Sequence, residues 1–208
     1  MDSKLEKILK YFIYFFPPLL LTGPFLPDLI LSISVIVFLT LVFLKKNFYI
    51  FKNFYFKVFL AFLLYLILRS IFTLDFLSIR PSIFYFRFGF FSLAIFYLLQ
   101  NKLLSLKIYT LIIFLTLLAL YIDGSIQFLT GKNILGIETY HPERISSFFK
   151  DELILGGVSF RVFVVLVPLF YFLKLKNRNT FSFFVITMIC SLILYSSERT
   201  AALLMLSF

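Results

Sequence analysis

The chain has one cysteine, Cys190, and one histidine, His141, in 208 residues. No disulfide can close within it, and no cysteine cluster can hold a metal. Glycine and proline number only seven each, too few for a flexible linker or a low-complexity tract. Acids are scarce as well, with ten Asp and Glu against twenty Lys and Arg. No glycine-rich phosphate loop, HExxH helix, CxxC pair or nucleophile elbow occurs, so the activities those motifs carry find no anchor here.

What the chain has in quantity is apolar surface. Its residues are 62% hydrophobic, 32 of them are Phe, and the mean hydropathy is +1.03. Several runs reach the roughly 18 to 20 apolar residues that cross a hydrocarbon core. The expected fold is all-α, a polytopic transmembrane helical bundle of about seven spans plus a truncated eighth helix. It forms one integral membrane domain over residues 1–208. The formal charge of +10 is then a topology signal of loop lysines, and no nucleic-acid partner is expected.

The spans are read as Tyr11–Leu21, bent or broken at Pro17-Pro18, then Leu29–Leu44, Phe54–Thr73, Ser82–Leu99, Ile108–Ile122, Glu152–Leu173 and Phe181–Tyr195. Proline removes a backbone donor and crowds the preceding turn, while Pro81 suits the first turn of the fourth span. A polar loop over about 123–151 is the longest in the chain. After Ser196-Ser197-Glu198-Arg199, a last helix begins at Thr200 with too few residues to cross, so either the sequence is an incomplete N-terminal portion, as expected, or this helix lies at the interface.

With the N-terminus in the cytoplasm, twelve basic residues fall on that side and eight on the other or in the outer parts of helices. This is the direction of the positive-inside rule. The inner set is lysine apart from Arg178. The outer set is Arg69, Arg80, Arg87, Arg144, Arg161 and Arg199, with Lys132 and Lys150. Lysine is sufficient for topology, whereas the planar fork of arginine binds phosphate through two parallel bonds.

Arg87 lies about six residues into its span and Arg161 about nine residues into the sixth, near the midplane. A charge at such a depth is costly unless it is paired or faces water. A structural ion pair of Arg161 with Asp75, Glu152 or Glu198 is the plain alternative to a ligand contact. Arg80 shares a helix face with Arg87. Both Arg80 and Arg69 also suit snorkelling to the headgroups. Arg199 opens a helix, whose free N–H groups and positive dipole end suit an anion. His141 is a candidate base or a solvated loop residue. Tyr140, Phe148 and Phe149 suit either a sugar ring or the headgroup level. Gly156-Gly157 lets a neighbouring helix come close.

One ordered set of residues resembles the bacterial O-antigen ligase and polymerase family. It comprises Gln127, Gly131, Asn133 and Gly136, then Arg144-Ile145-Ser146-Ser147-Phe148-Phe149. It continues with Asp151-Glu152-Leu153-Ile154-Leu155-Gly156, Arg161 and Pro168, and ends with Ser196-Ser197-Glu198-Arg199-Thr200-Ala201-Ala202. The likeness covers about residues 81–208; before Pro81 it is one of hydropathy. It implies a membrane glycosyltransferase that joins a polyprenyl-pyrophosphate-linked glycan to another glycan or to lipid A–core, in the bacterial inner membrane, without metal or cofactor. It implies that Arg199, Arg161, Arg144, Arg87 and Arg80 grip the pyrophosphate and that Glu152 holds an arginine in place. The family's base is a histidine in a later outer loop, a role His141 does not inherit, so the catalytic group is unassigned. A non-enzymatic transporter or flippase of lipid-linked glycan would use the same arginines, and an inactive fragment would leave them paired.

Overall fold

A computed structural model describes residues 2–73, 76–139, 144–150, 152–174 and 177–207. The helices are α1 (Asp2–Leu19), α2 (Phe25–Leu44), α3 (Phe54–Phe72), α4 (Phe76–Phe84), α5 (Phe86–Gln100), α6 (Leu106–Thr130), α7 (Leu155–Phe172), α8 (Arg178–Ser196) and α9 (Arg199–Leu206). Short 3₁₀ turns lie at Leu20–Thr22, Phe48–Lys52 and Ser147–Phe149. No strand forms among the described residues, where the one extended pairing is an isolated bridge between Lys132 and Glu138.

Six helices among the described residues are long and apolar enough to cross a membrane: Phe25–Leu44, Phe54–Phe72, Leu77–Gln100, Leu106–Thr130, Leu155–Phe172 and Arg178–Ser196. The chain is an all-α, multi-pass membrane protein. The seventh expected span, the first in the chain, is not among the six. α1 continues through Pro17 and Pro18 and stops one residue later. Its first half carries Lys4, Glu6, Lys7 and Lys10, which sets it apart in composition from the other six.

The chain divides into two compact units. Unit 1 comprises Met1–Phe16 and Phe25–Ser105; unit 2 comprises Pro17–Pro24 and Leu106–Phe208. In unit 1 the buried side chains of α1 (Leu9, Ile13), α2 (Leu31, Val35, Phe38, Leu41, Val42) and α5 (Phe91, Ala94, Leu98) form the interior. The amphipathic α1 is held by polar bonds at its two ends. Lys45 Nζ and Tyr97 Oη donate to Glu6 Oε1 at 2.6 and 2.7 Å, and Ser105 N donates to Tyr14 Oη at 2.9 Å. α3 reaches α5 at Gly89, where an added Cβ would fall on the ring of Phe59.

Pro81 lies inside α4 and does not open a helix. Its missing N–H and its ring disturb the helix on either side. At Tyr85 the backbone stays in the helical region, with φ of −64° and ψ of −20°, and α4 runs on into α5 through one tighter turn, in which Phe88 N donates to Tyr85 O at 3.2 Å. Arg80 therefore sits within a helix, where the sequence places it beside a loop.

In unit 2, α7 and α8 form an antiparallel pair packed on α6. Leu117, Leu120, Leu155, Leu166, Met188, Ile189 and Leu192 are buried between them. Lipid offers no hydrophobic drive for helices to associate, so close fit and internal polar bonds hold them. The hydroxyls of Thr110, Thr116 and Ser159 satisfy themselves on the carbonyl four residues back, which lets polar side chains sit in an apolar bundle.

Candidate functional site

The loop end of unit 2 begins where α6 outlasts its apolar run. The helix was expected to stop at Ile122, but it continues through Thr130. Asp123 and Gln127 are four residues apart and so share one face. Both are buried, at 0% and 1% exposure, and the following loop folds back onto them. Without that loop the two polar side chains would be stranded at great cost.

The segment from Gly131 to Ile137 closes on itself. Asn133 N donates to Ile137 O at 3.0 Å, and Gly136 N donates to Asn133 O at 2.9 Å. Ile137 N donates to Asn133 Oδ1 at 2.8 Å. Gly131 and Gly136 both have φ of +77°, a conformation glycine adopts without a Cβ penalty. The glycine–asparagine–glycine spacing is thus the requirement of one compact turn. Lys132 Nζ and Glu138 Oε1 tie its rim at 2.9 Å. This bond and the lysine charge hold the exposed Glu138 carboxyl below its ordinary range and push Lys132 up.

The chain then returns as Arg144–Phe149 across the Asp123–Gln127 face. Gln127 Oε1 accepts from Ser146 N at 3.1 Å and from Ser147 N at 2.6 Å. Asp123 Oδ2 accepts from Ser147 Oγ at 2.6 Å, and its Oδ1 accepts from Ile134 N at 2.9 Å. Asn133 Nδ2 donates to Ser147 O at 3.2 Å. Ser147 has φ of +54°, an uncommon conformation for a residue with a side chain. Its N–H, hydroxyl and carbonyl are each held by a different side chain, and this over-determination is what lets such strain persist.

The same end receives α8 and α9. Ile145 N donates to Tyr195 O at 3.2 Å, and Arg144 Nε donates to Ser196 O at 3.1 Å. The Phe128 and Tyr195 rings stack at 4.2 Å. Ser197 turns left-handed, with φ of +52°, and aims Glu198 at the start of α7. There Glu198 Oε1 accepts from Gly156 N at 3.0 Å and Oε2 from Gly157 N at 2.8 Å. A carboxylate on the free N–H groups and positive dipole end of a helix is favourable. The two glycines allow it: a Cβ on Gly156 would lie 2.7 Å from Ser196 Oγ and 3.2 Å from Ala201 Cβ.

The arginines divide between the units. Arg144 and Arg199 are anchored within three residues of each other, at Ser196 and at the start of α9. Arg161 lies on α7 four residues beyond Gly157, on the same helix face. Arg161 and Arg199 are exposed, and among the described residues none of these three joins an ion pair. Arg87 and Arg80 belong to unit 1, where Arg87 Nη1 pairs with Asp28 Oδ2 at 2.8 Å.

Several expectations change. Glu152 is exposed and holds no arginine among the described residues. Glu198 does not pair with Arg161, because its carboxylate is committed to the α7 backbone. Phe149 is buried in the core of unit 2, and the partly buried Phe148 packs against it. Tyr140, His141 and Asp75 lie outside the described residues. Among the described residues no group of His, Cys, Asp and Glu could hold a metal. Sequence reasoning missed the acceptor role of Asp123 and the cap formed by Glu198. The available signals were Asp123 and Gln127 at helical spacing after an apolar run, and a Gly-Gly pair at a helix start.

A multi-pass helical membrane protein with a polar, arginine-bearing loop end is the class these features define. Comparison with family models, curated proteins and solved structures finds no match.

Proposed function

We propose that the chain is a membrane glycosyltransferase of the lipid-linked-glycan kind, using a polyprenyl-pyrophosphate-linked glycan as donor and another glycan as acceptor. One observation carries this reading. Residues scattered from Gln127 to Glu198, most of them in one ordered set, are joined by direct bonds at one end of unit 2. Gln127, Asn133, Gly136 and the serine pair build the loop; Glu198 and Gly156-Gly157 lock α9 to α7. That frame fixes Arg144 at the Ser196 carbonyl, starts α9 at Arg199 and sets Arg161 four residues beyond Gly157 on α7; in this reading the three guanidinium groups meet the donor's pyrophosphate. A pyrophosphate leaving group gains negative charge as the glycosidic bond breaks. Guanidinium groups fixed in advance stabilise that charge without reorganising, and each supplies two parallel bonds where lysine supplies a point charge.

Complementation of a strain deficient in surface polysaccharide tests this, with Arg199→Lys and Arg161→Lys alongside wild type. The expected result is polysaccharide from wild type and little from either variant. Full activity in both variants would remove the pyrophosphate grip. Wild-type vesicles that move labelled lipid-linked glycan across the bilayer without forming a new glycosidic bond would replace transfer by transport.

A further inference from the structure

Unit 1 contains a cleft of about 500 Å³ lined by Asp28, Leu77, Arg80, Pro81, Phe84 and Arg87. We propose that this cleft binds the phosphodiester headgroup of a membrane lipid through Arg80 and Arg87. The inference concerns unit 1 alone and does not depend on the glycosyltransferase reading.

Both cations lie against one ring and line the same cleft. The guanidinium carbons of Arg80 and Arg87 lie 5.9 and 5.8 Å from the centroid of Phe84, so they are no farther apart than the sum of those distances. Arg87 is held in advance. Its Nη1 donates to Asp28 Oδ2 at 2.8 Å and Ser32 Oγ at 3.1 Å, and its Nε donates to Phe84 O at 3.2 Å. Its Nη2 makes no hydrogen bond among the described residues. Arg80 is exposed and makes neither an ion pair nor a hydrogen bond among them.

Charge selects the ligand. Among the described lining residues there are two guanidinium groups and one carboxylate, so one positive charge is left uncompensated. A phosphodiester carries one negative charge and closes that balance. Its two unesterified oxygens match a guanidinium fork. Location selects the source. Asp28 is in the first turn of the span Phe25–Leu44, and Arg87 is held level with it by their ion pair. The cleft is therefore at the end of that span, where headgroups lie. Leu77 is 89% exposed beside it and Phe84 47%, which gives acyl chains an apolar surface next to the cations.

The test is equilibrium binding of dioctanoyl phosphatidylglycerol to the full chain in mild detergent, read by native mass spectrometry. Wild type and Lys107→Gln should bind alike, and Arg80→Gln should bind at least about ten-fold more weakly, as expected for loss of a charge-assisted fork. Equal binding by Arg80→Gln overturns the proposal, as does equal binding of uncharged dioctanoylglycerol. Glycerophosphoglycerol, the same phosphodiester without acyl chains, binding as tightly as the lipid would overturn the lipid as the source. A second measurement uses wild type only: the lipid should slow phenylglyoxal modification of Arg80, and an unchanged rate would also overturn the proposal.

Discussion

Replacing Glu198 by alanine removes the cap that joins α9 to α7. Two charge-assisted bonds disappear, at 3.0 Å to Gly156 N and 2.8 Å to Gly157 N. A hydrogen bond to a charged group contributes about 1.5–3 kcal/mol, and loss of a helix N-cap costs about 0.5–2 kcal/mol. Glu198 is only half-buried, so water can reach the freed N–H groups and the lower part of these ranges applies. The expected destabilisation is about 2 kcal/mol for Glu198→Ala. Glu198→Gln keeps one carbonyl acceptor without charge and should lose about half of that. The assay is unfolding of the purified chain in mixed micelles by increasing dodecyl sulfate, followed by circular dichroism. A Glu198→Ala variant as stable as wild type would show that the cap contributes nothing. Residues 198–199 would then not be fixed by α7.

Other perturbations follow from the same frame. Gly156→Ala places a Cβ against Ser196 Oγ, Glu198 Cβ and Ala201 Cβ, so it should cost about 1–3 kcal/mol in the same assay. Gly157→Ala meets only Glu198 Oε2, at 3.3 Å, and should be milder; the reverse order would contradict the packing described. Gln127→Leu leaves Ser146 N and Ser147 N buried without an acceptor and should cost about 2–4 kcal/mol, checked by unfolding. The Lys132–Glu138 pair predicts a pH effect confined to its turn. Because the Glu138 carboxyl is depressed when folded, the pair's contribution is present above the ordinary value of 4.5 and is lost as pH falls through the lower folded value. An NMR titration should show Glu138 protonating below 4.5 in wild type and returning toward 4.5 in Lys132→Gln; an identical midpoint in both would refute the pairing.

Much of this fold is legible in the residue pattern because the bilayer imposes so few solutions. Phe54–Phe72 and Arg178–Ser196 fall within a few residues of where hydropathy places them. Hydropathy misleads where polar residues are helical. Asp123 and Gln127 look like the start of a loop, yet they extend α6 by two turns because the loop returns to satisfy them. Pro81 looks like a helix start because proline favours that position, but α4 has already begun at Phe76 and includes it. α1 reads as a span from its apolar half, while its charged half makes it an amphipathic helix held by Glu6 and Tyr14. At the site, arginines were visible as residue types out of place in a membrane protein. Their partners were not, because Asp28 and Arg87 are far apart in sequence and Arg144 bonds to the Ser196 carbonyl, which leaves no mark of charge pairing.

The central claim is that Arg144, Arg161 and Arg199 of unit 2 bind pyrophosphate. Its most direct measurement is the dissociation constant of the purified chain for a polyprenyl pyrophosphate in detergent. Arg199→Lys and Arg161→Lys should each weaken binding by about ten-fold or more while charge is conserved. Unchanged affinity in both variants would contradict the claim.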